Sequence, residues 1–527
     1  ALAVKNGKIL YVGDVNGIKD ITGPETEQIN LQGKTMTPGF LDSHSHFAAA
    51  VIISNWVNVS IPPVGPVESF NDIISTLKTH VEKLPLESGQ PLIAYGYDAN
   101  GLKEGRDITR DEIDTHFPNN PVILIHVSHH GAVLNSQALS IAGVSADTPT
   151  PAGGVISRKP GSNEPAGLLM ETAWFPVLDK FLPTPSFEKR LVSFAQAQNV
   201  YAANGYTTIQ DGAAKYQDVA SYKKAASDGH FFLDLVSLPY YLDMKQFYAD
   251  ESMGFGSYHN RIKLGGMKIV SDGSPQGRTA YFSHAMHGPG PEGQAEWFGE
   301  PSMPYEEYEH IFKTAHNAGI RIFSHANGDA AVDMVLKAHQ ANGITASHDL
   351  RNVVIHSQFM RPEQLDQYVE YGISPSFFSN HAFYWGDVHI KNLGKKRANF
   401  LSPMKTAGEK GIIFSNHTDF NVTPLDPMMT IWTAVARESR RGKVIGKEER
   451  ISAYQALKAL TIYPAYQYKE ENSKGTLEVG KLADLAILSR NPLTVDTPEI
   501  RGIKVEATYK EGKEVFRIQP QNQSTMR

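Results

Sequence analysis

Two histidines separated by a single residue, His44 and His46, follow an apolar, β-prone run over residues 35–41. In a strand, side chains at i and i+2 share a face, so both imidazoles can reach one cation while Ser45 points the other way. Histidine is the commonest side-chain metal ligand, usually through a neutral ring nitrogen. The pair alone is as often coincidence as site. What decides it is whether further ligands arrive later, each at the end of its own strand. The sequence offers Lys268 in Met267-Lys268-Ile269-Val270, His325 after Ile322-Phe323-Ser324, His356 after Val353-Val354-Ile355, and His417 and Asp419 after Phe414-Ser415-Asn416. Any one of these has a plain reading as a packed core residue. Repetition at five strand ends makes metal binding the better account. Lys268 carries its own chemistry. An ammonium inside a core is costly and tends to lose its proton. The neutral amine can react with carbon dioxide to give a carbamate, whose two oxygens can bridge two ions. The competing role is a structural salt bridge with Asp272 or another carboxylate.

Those residues must be carried by strands that end on one side. Strand candidates with β-branched or aromatic runs fall at 35–42, 206–211, 231–239, 262–270, 320–325, 352–357, 372–378 and 411–416. Helical patterns lie between several of them, such as 305–318, which closes at Gly319 in a C′ position. Eight strands with helical crossovers predict an α/β fold, a (β/α)8 TIM-like barrel, whose active site forms at the C-terminal strand ends. The barrel domain is expected over 37–474. The stretch after the first strand is too long for one crossover and predicts an inserted lobe at about 55–200, with Pro- and Gly-rich borders at 62–66 and 149–167. Both ends of the chain read as short strands, with a hairpin signal at Asn6-Gly7. Segments 1–36 and 475–520 therefore predict one small β-sandwich built from both termini.

Composition narrows the function further. The 527 residues are 41% hydrophobic and 20% charged, with a formal net charge of −6. The absence of a basic surplus argues against nucleic acid as the main partner. No window approaches the roughly 18 apolar residues of a membrane span. With no cysteine, any metal site is built from His, carboxylates or modified Lys. The chain opens at Ala1 inside what reads as a strand. The expectation is a trimmed N-terminus and a cytoplasmic location, with a secreted or periplasmic one left open.

The order and wording of these motifs resemble the amidohydrolase superfamily, and within it the amidohydrolase-3 (YtcJ-like) family, which includes enzymes resembling N-substituted formamide deformylase. The resemblance runs over nearly the whole chain. It opens on Pro38-Gly39-Phe40-Leu41-Asp42-Ser43-His44-Ser45-His46 and passes through Lys268, Asp272-Gly273-Ser274, Arg278-Thr279-Ala280, His325-Ala326-Asn327-Gly328-Asp329 and His356-Ser357-Gln358. It continues at Asp419 before Pro424-Leu425-Asp426-Pro427, and 475–485 looks like the superfamily's return into its β-sandwich. The resemblance implies two divalent metal ions: His44, His46 and Asp419 on one, His325 and His356 on the other, with N6-carboxylysine at Lys268 and a hydroxide bridging them. Zinc is the default, and Mn or Fe can occupy the same ligands. Asp419 would accept the hydroxide proton and pass it to the leaving nitrogen. The implied activity is hydrolysis of a non-peptide C–N bond, amide or N-formyl, in a small molecule. A mononuclear ring deaminase of the same superfamily is the runner-up, and a non-catalytic metal-binding regulatory barrel the third reading. A homodimer is left open.

The chain departs from the family pattern in two places. Asn416-His417-Thr418-Asp419 stands where the family usually has Gly-Ser-Asp. The Val422-Thr423-Pro424-Leu425-Asp426-Pro427 that follows favours Asp419 as the acid, with His417 within reach. Ser128-His129-His130-Gly131 stands where the family tends to have Asp-Gly-His, so His130 maps to the family histidine and His129 has no assigned role. Tyr97, Asp98, His130, Glu171 and Asp211 occupy motif-like positions and are candidate substrate contacts, with structural roles as the alternative. Trp385, in the aromatic run after the seventh strand, suits an apolar or aromatic substrate group.

Overall fold

The computed structural model describes residues 1–53, 56–182, 185–291 and 293–518. Residue 55, where the lobe was expected to start, and the last two residues of the 475–520 segment lie outside them.

Eight parallel strands form the frame in chain order: Phe40–Leu41, Tyr206–Ala214, Asp234–Pro239, a fourth in two pieces (Ile262–Leu264 and Met267–Val270), Ile322–Ala326, Val353–His356, Ser374–Phe377 and Ser415–Asn416. They run as two five-stranded sheets, the first including a short antiparallel strand, Tyr258–His259. Isolated parallel bridges, Tyr240 with Lys268 and Ser45 with Phe420, connect the two sheets. Neighbours in space are neighbours in sequence, as the (β/α)8 architecture requires. The fourth strand breaks at Gly265-Gly266, where a Cβ on Gly266 would stand 2.6 Å from the Arg321 carbonyl oxygen. The lower piece pairs with the third strand; the upper piece, carrying Lys268, pairs with the fifth.

The expected first strand, 35–42, is two strands. Thr35–Pro38 pairs antiparallel with Leu485–Leu488, and only Phe40–Leu41 joins the barrel. Pro38 has no N–H for a second ladder. A Cβ on Gly39 would lie 2.5 Å from Thr207. The chain therefore switches sheets at this pair.

Helices cover the barrel. Tyr305–Asn317 buries Tyr308, Phe312 and Ala315, one face at helical spacing, and Gly319 follows in the left-handed region at φ 69°. Phe187–Ala203, within the span expected for the lobe, packs Phe194 and Tyr201 into the barrel core.

The inserted lobe holds a mixed six-stranded sheet, in the order Val57–Asn58, Leu92–Tyr97, Val122–His126, Gly131–Leu134, Pro165–Glu171, Gly154–Arg158. Its central strand reads Val-Ile-Leu-Ile because both faces are covered. Val122 and Leu124 pack in a cluster with Ile73 and Leu77; Ile123 and Ile125 pack with Leu169 and Trp174. At the termini, Leu2–Lys5 and Lys8–Val12 form a hairpin through Asn6 (φ 52°) and Gly7 (φ 76°). The four-stranded sheet of Thr35–Pro38, Leu485–Leu488, Val505–Lys510 and Lys513–Arg517 combines strands from both ends of the chain. Among the described residues, no helix is long and apolar enough to cross a membrane.

Candidate metal centre

The C-terminal strand ends bring the ligand candidates together. Ser45 does point away, its hydroxyl meeting Asp42, the Tyr201 hydroxyl at 2.7 Å and the Gln210 carbonyl at 3.1 Å. His44 turns Nδ1 to Gln210 Oε1 at 2.8 Å. Gln210 is oriented by donating Nε2 to the Ser43 carbonyl at 2.8 Å and to the Tyr468 hydroxyl. An accepting oxygen at Nδ1 fixes the proton there and leaves the Nε2 lone pair facing the site. Gly212 makes room for this ring, since a Cβ there would meet His44 Cε1 at 2.4 Å.

His44 Nε2 lies 3.2 Å from Lys268 Nζ and 3.4 Å from Asp419 Oδ1. His46 Nε2 is 3.2 Å from the same carboxylate oxygen, and His356 Nε2 is 3.9 Å from Asp419 Oδ2. His44, His356 and Asp419 offer donor atoms that all fall within 4.8 Å of one another. Asp419 Oδ1 and His356 Nδ1 are buried and satisfied by no hydrogen bond. Imidazole nitrogens converging on a carboxylate, with Asp419 Oδ1 left without a hydrogen bond, are the donor set of a divalent cation site. His356 (φ 74°) and Asp419 (φ 50°) both sit in the left-handed region, uncommon for residues with side chains and concentrated at functional sites.

Burial disfavours the Asp419 carboxylate, but the imidazoles of His44, His46 and His356 outweigh it and hold the group well below the ordinary range. Burial first, and Lys268 second, drive His44 well below its usual value. Burial and the His325 ring do the same to His356. Lys268 is 1% exposed, and burial pushes its ammonium down to about 7. Among the described residues no ion pair joins it to Asp272. That carboxylate instead accepts the Asn327, Gly328 and Tyr281 amides at 2.8–3.0 Å. It also lies 3.1 Å from His325 Nδ1. His325 stands beside the close group, its ring 4.6 Å from that of His356.

The remaining candidates divide. His417 packs 5.2 Å from His44 and 5.0 Å from His356, ring to ring, with both nitrogens buried and unpaired; burial takes it down to about 3. His129 and His130 both enter the barrel mouth from the lobe. Burial and His46 lower His129 to about 4, and the His130 ring lies 5.3 Å from His325. Asp98 accepts the Trp385 indole N–H at 2.8 Å, and both line a cavity of about 180 Å³ between the lobe, the helix Asn380–Asn399 that follows the seventh strand, and the loop after the eighth. Tyr97 is not brought there: its hydroxyl donates to Asp107 at 3.0 Å within the lobe core. Asp211 faces the surrounding helices, accepting from the Tyr222 hydroxyl at 2.9 Å and the Ala48 amide at 3.2 Å; burial raises it to about 6. Gln210 and Asp42 were not singled out from the sequence as supports of His44, whose backbone amide donates to Asp42 Oδ1 at 3.2 Å. Period-two alternation through Thr208 and Gln210 was the available signal for Gln210.

Over 532 residues the chain is 28% identical to the N-substituted formamide deformylase of Arthrobacter pascens, covering 97% of this chain and 94% of that protein. It is 28% identical over 528 residues to the putative amidohydrolase YtcJ of Bacillus subtilis (strain 168), covering 98% and 96%. Among solved structures, an uncharacterized metal-dependent hydrolase from Pyrococcus horikoshii OT3 superposes with a TM-score of 0.72 at 22% identity, covering 94% of this chain and 95% of that one, a likeness of fold. Residues 27–516 match the model of the Amidohydrolase family, and the chain belongs to that family.

Proposed function

We propose that the protein is a metal-dependent hydrolase that cleaves a non-peptide C–N bond, an amide or N-formyl group, in a small molecule. The observation that carries this reading is the Asp419 carboxylate within 3.2–3.9 Å of three imidazoles, beside the buried Lys268. Divalent cations in this donor set supply Lewis acidity, polarising a carbonyl and lowering the pKa of water. His44, His46 and Asp419 would hold one ion and His325 and His356 the other, with carboxylated Lys268 between them. Asp419 takes the proton of the attacking water and passes it to the leaving nitrogen, so amide plus water gives acid plus amine. The cavity lined by Ile61, Tyr384, Trp385 and Phe420 has a volume of about 180 Å³. That is below the ~300–1,000 Å³ of whole-ligand pockets, so it suits one apolar substituent rather than a whole substrate. Phe420 links it to Asp419.

The similarity to a formamide deformylase supports starting the search there. Protein reconstituted with Zn, Mn or Fe is assayed on N-substituted formamides and N-acyl compounds, with metal content and the mass of the Lys268 peptide measured in parallel. Two ions per chain, a carbon dioxide adduct and amide turnover are expected. One ion, bare lysine and turnover only of ring amines would replace this reading with a mononuclear deaminase.

A further inference from the structure

The turn between lobe strands Val122–His126 and Gly131–Leu134 enters the barrel mouth and carries His130. A chain of contacts across the seam between lobe and barrel fixes its ring. His130 Nδ1 lies 2.7 Å from Glu171 Oε2. The other oxygen of Glu171 accepts the Thr279 hydroxyl at 2.6 Å, and Thr279 Oγ1 accepts the Ser274 amide at 2.9 Å. Glu171 is 3% exposed and sits at φ 53°, a backbone setting uncommon for a residue with a side chain that persists only when its surroundings enforce it. Gly273, in the loop after the fourth barrel strand, admits the pair: a Cβ there would lie 2.3 Å from Glu171 Oε1 and 2.3 Å from Thr279 Oγ1. The His130 backbone is pinned as well, its carbonyl accepting the Glu171 amide at 2.8 Å. With Nδ1 committed to Glu171, Nε2 is the free position of the ring, and it makes no hydrogen bond among the described residues. The ring stands 5.3 Å from His325, beside the proposed reaction centre.

We propose that His130 grips the substrate's amide group through Nε2, and that Glu171 and Thr279 are positioning residues acting through it. The lobe then helps decide which amides react. This inference rests on the amide-hydrolase reading above. The alternative is that the chain of contacts only latches lobe to barrel. A latch would alter stability, and a grip would alter ligand affinity.

The test uses metal-loaded Asp419→Asn protein, titrated with N-butylformamide and N-butylacetamide by ligand-observed NMR. Titrations are repeated after adding His130→Gln, Glu171→Gln, or both. Each single change is expected to weaken the dissociation constant about tenfold, the scale of one lost hydrogen bond to a polar ligand. The double change should be no worse than His130→Gln alone, with melting temperature and metal content unchanged. Unaltered affinity, losses that multiply in the double variant, or losses that track metal content or melting temperature overturn the inference. So does failure of both probes to bind. Wild-type turnover on the amide panel is scored separately: the reading of function survives any of these results if turnover is seen, and falls without it.

Discussion

Asp419 is the residue whose charge state decides the proposed chemistry. The imidazoles of His44, His46 and His356 outweigh its burial and hold it well below the ordinary carboxylate range, and its Oδ1 makes no hydrogen bond. Asp419→Asn keeps the size and a donor oxygen but removes the proton acceptor. Metal content by mass spectrometry is expected to stay near wild type, while kcat falls by about 10²–10⁴-fold. Full activity would contradict the proton transfer assigned here. Lys268 allows a test by pH. Burial puts its pKa at about 7, below the ordinary value, so the amine is protonated and inert below that pH and free above it. In chelated protein given metal and bicarbonate, recovery of activity should therefore speed up as pH rises through about 7. A recovery rate flat from about pH 6 to 8 would remove carboxylation from the account.

At the scale of elements, the strand ends were legible because strand periodicity and ligand chemistry coincide in the same few residues. His44-Ser45-His46, Lys268, His325, His356 and Asp419 each lie in or just after an apolar run, and every such run contributed a barrel strand, the first of them only through Phe40–Leu41. What did not show was how strands are divided. Residues 35–42 read as one strand because nothing local says that Pro38-Gly39 hands the chain from one sheet to another. Residues 262–270 read as one because the need for Gly265-Gly266 lies in the approach of Arg321, distant in sequence. The supports were hidden for the same reason: Gln210 and Glu171 act on partners 166 and 41 residues away. The break in the fourth strand yields a prediction. In Gly266→Ala the new Cβ would meet the Arg321 carbonyl oxygen at 2.6 Å, forcing apart the fourth and fifth strands beside Lys268. A loss of a few kcal/mol, of the order seen for backbone and overpacking lesions, should appear as a lower urea midpoint, together with weaker metal retention. An unchanged midpoint would mean that the two strands are not held in register there.

Across the whole molecule, the candidate metal ligands occupy one end of the barrel and a buried ionic network the other. Asp234 opens the third strand. Its carboxylate meets Lys474 and Lys510 at 2.8 Å and Arg261 at 2.9 Å. Lys510 belongs to the terminal sheet and also holds Asp484 at 2.8 Å, while Lys474 holds Glu470 at 2.7 Å. The charges of barrel and terminal sheet thus neutralise one another out of water, which explains how the two ends of the chain are fixed to a barrel lying between them in sequence. Burial disfavours the Asp234 carboxylate, but Lys474 and Lys510 outweigh it and depress its pKa; the same lysine and Lys263 depress Glu470. Such groups bind protons more readily when unfolded. The stability they contribute is present above the ordinary carboxylate pKa of about 4 and is lost as pH falls through the folded values. Asp234→Asn leaves Lys474 and Lys510 short of a counter-charge and should cost about 3–5 kcal/mol at neutral pH, the penalty for stranding a buried ion. It should also flatten the acid limb: wild type loses urea resistance steeply below about pH 4, and the variant, already without that carboxylate, loses less. Equal midpoints at pH 7, or parallel acid limbs, would show that the network is incidental to holding the terminal sheet on the barrel.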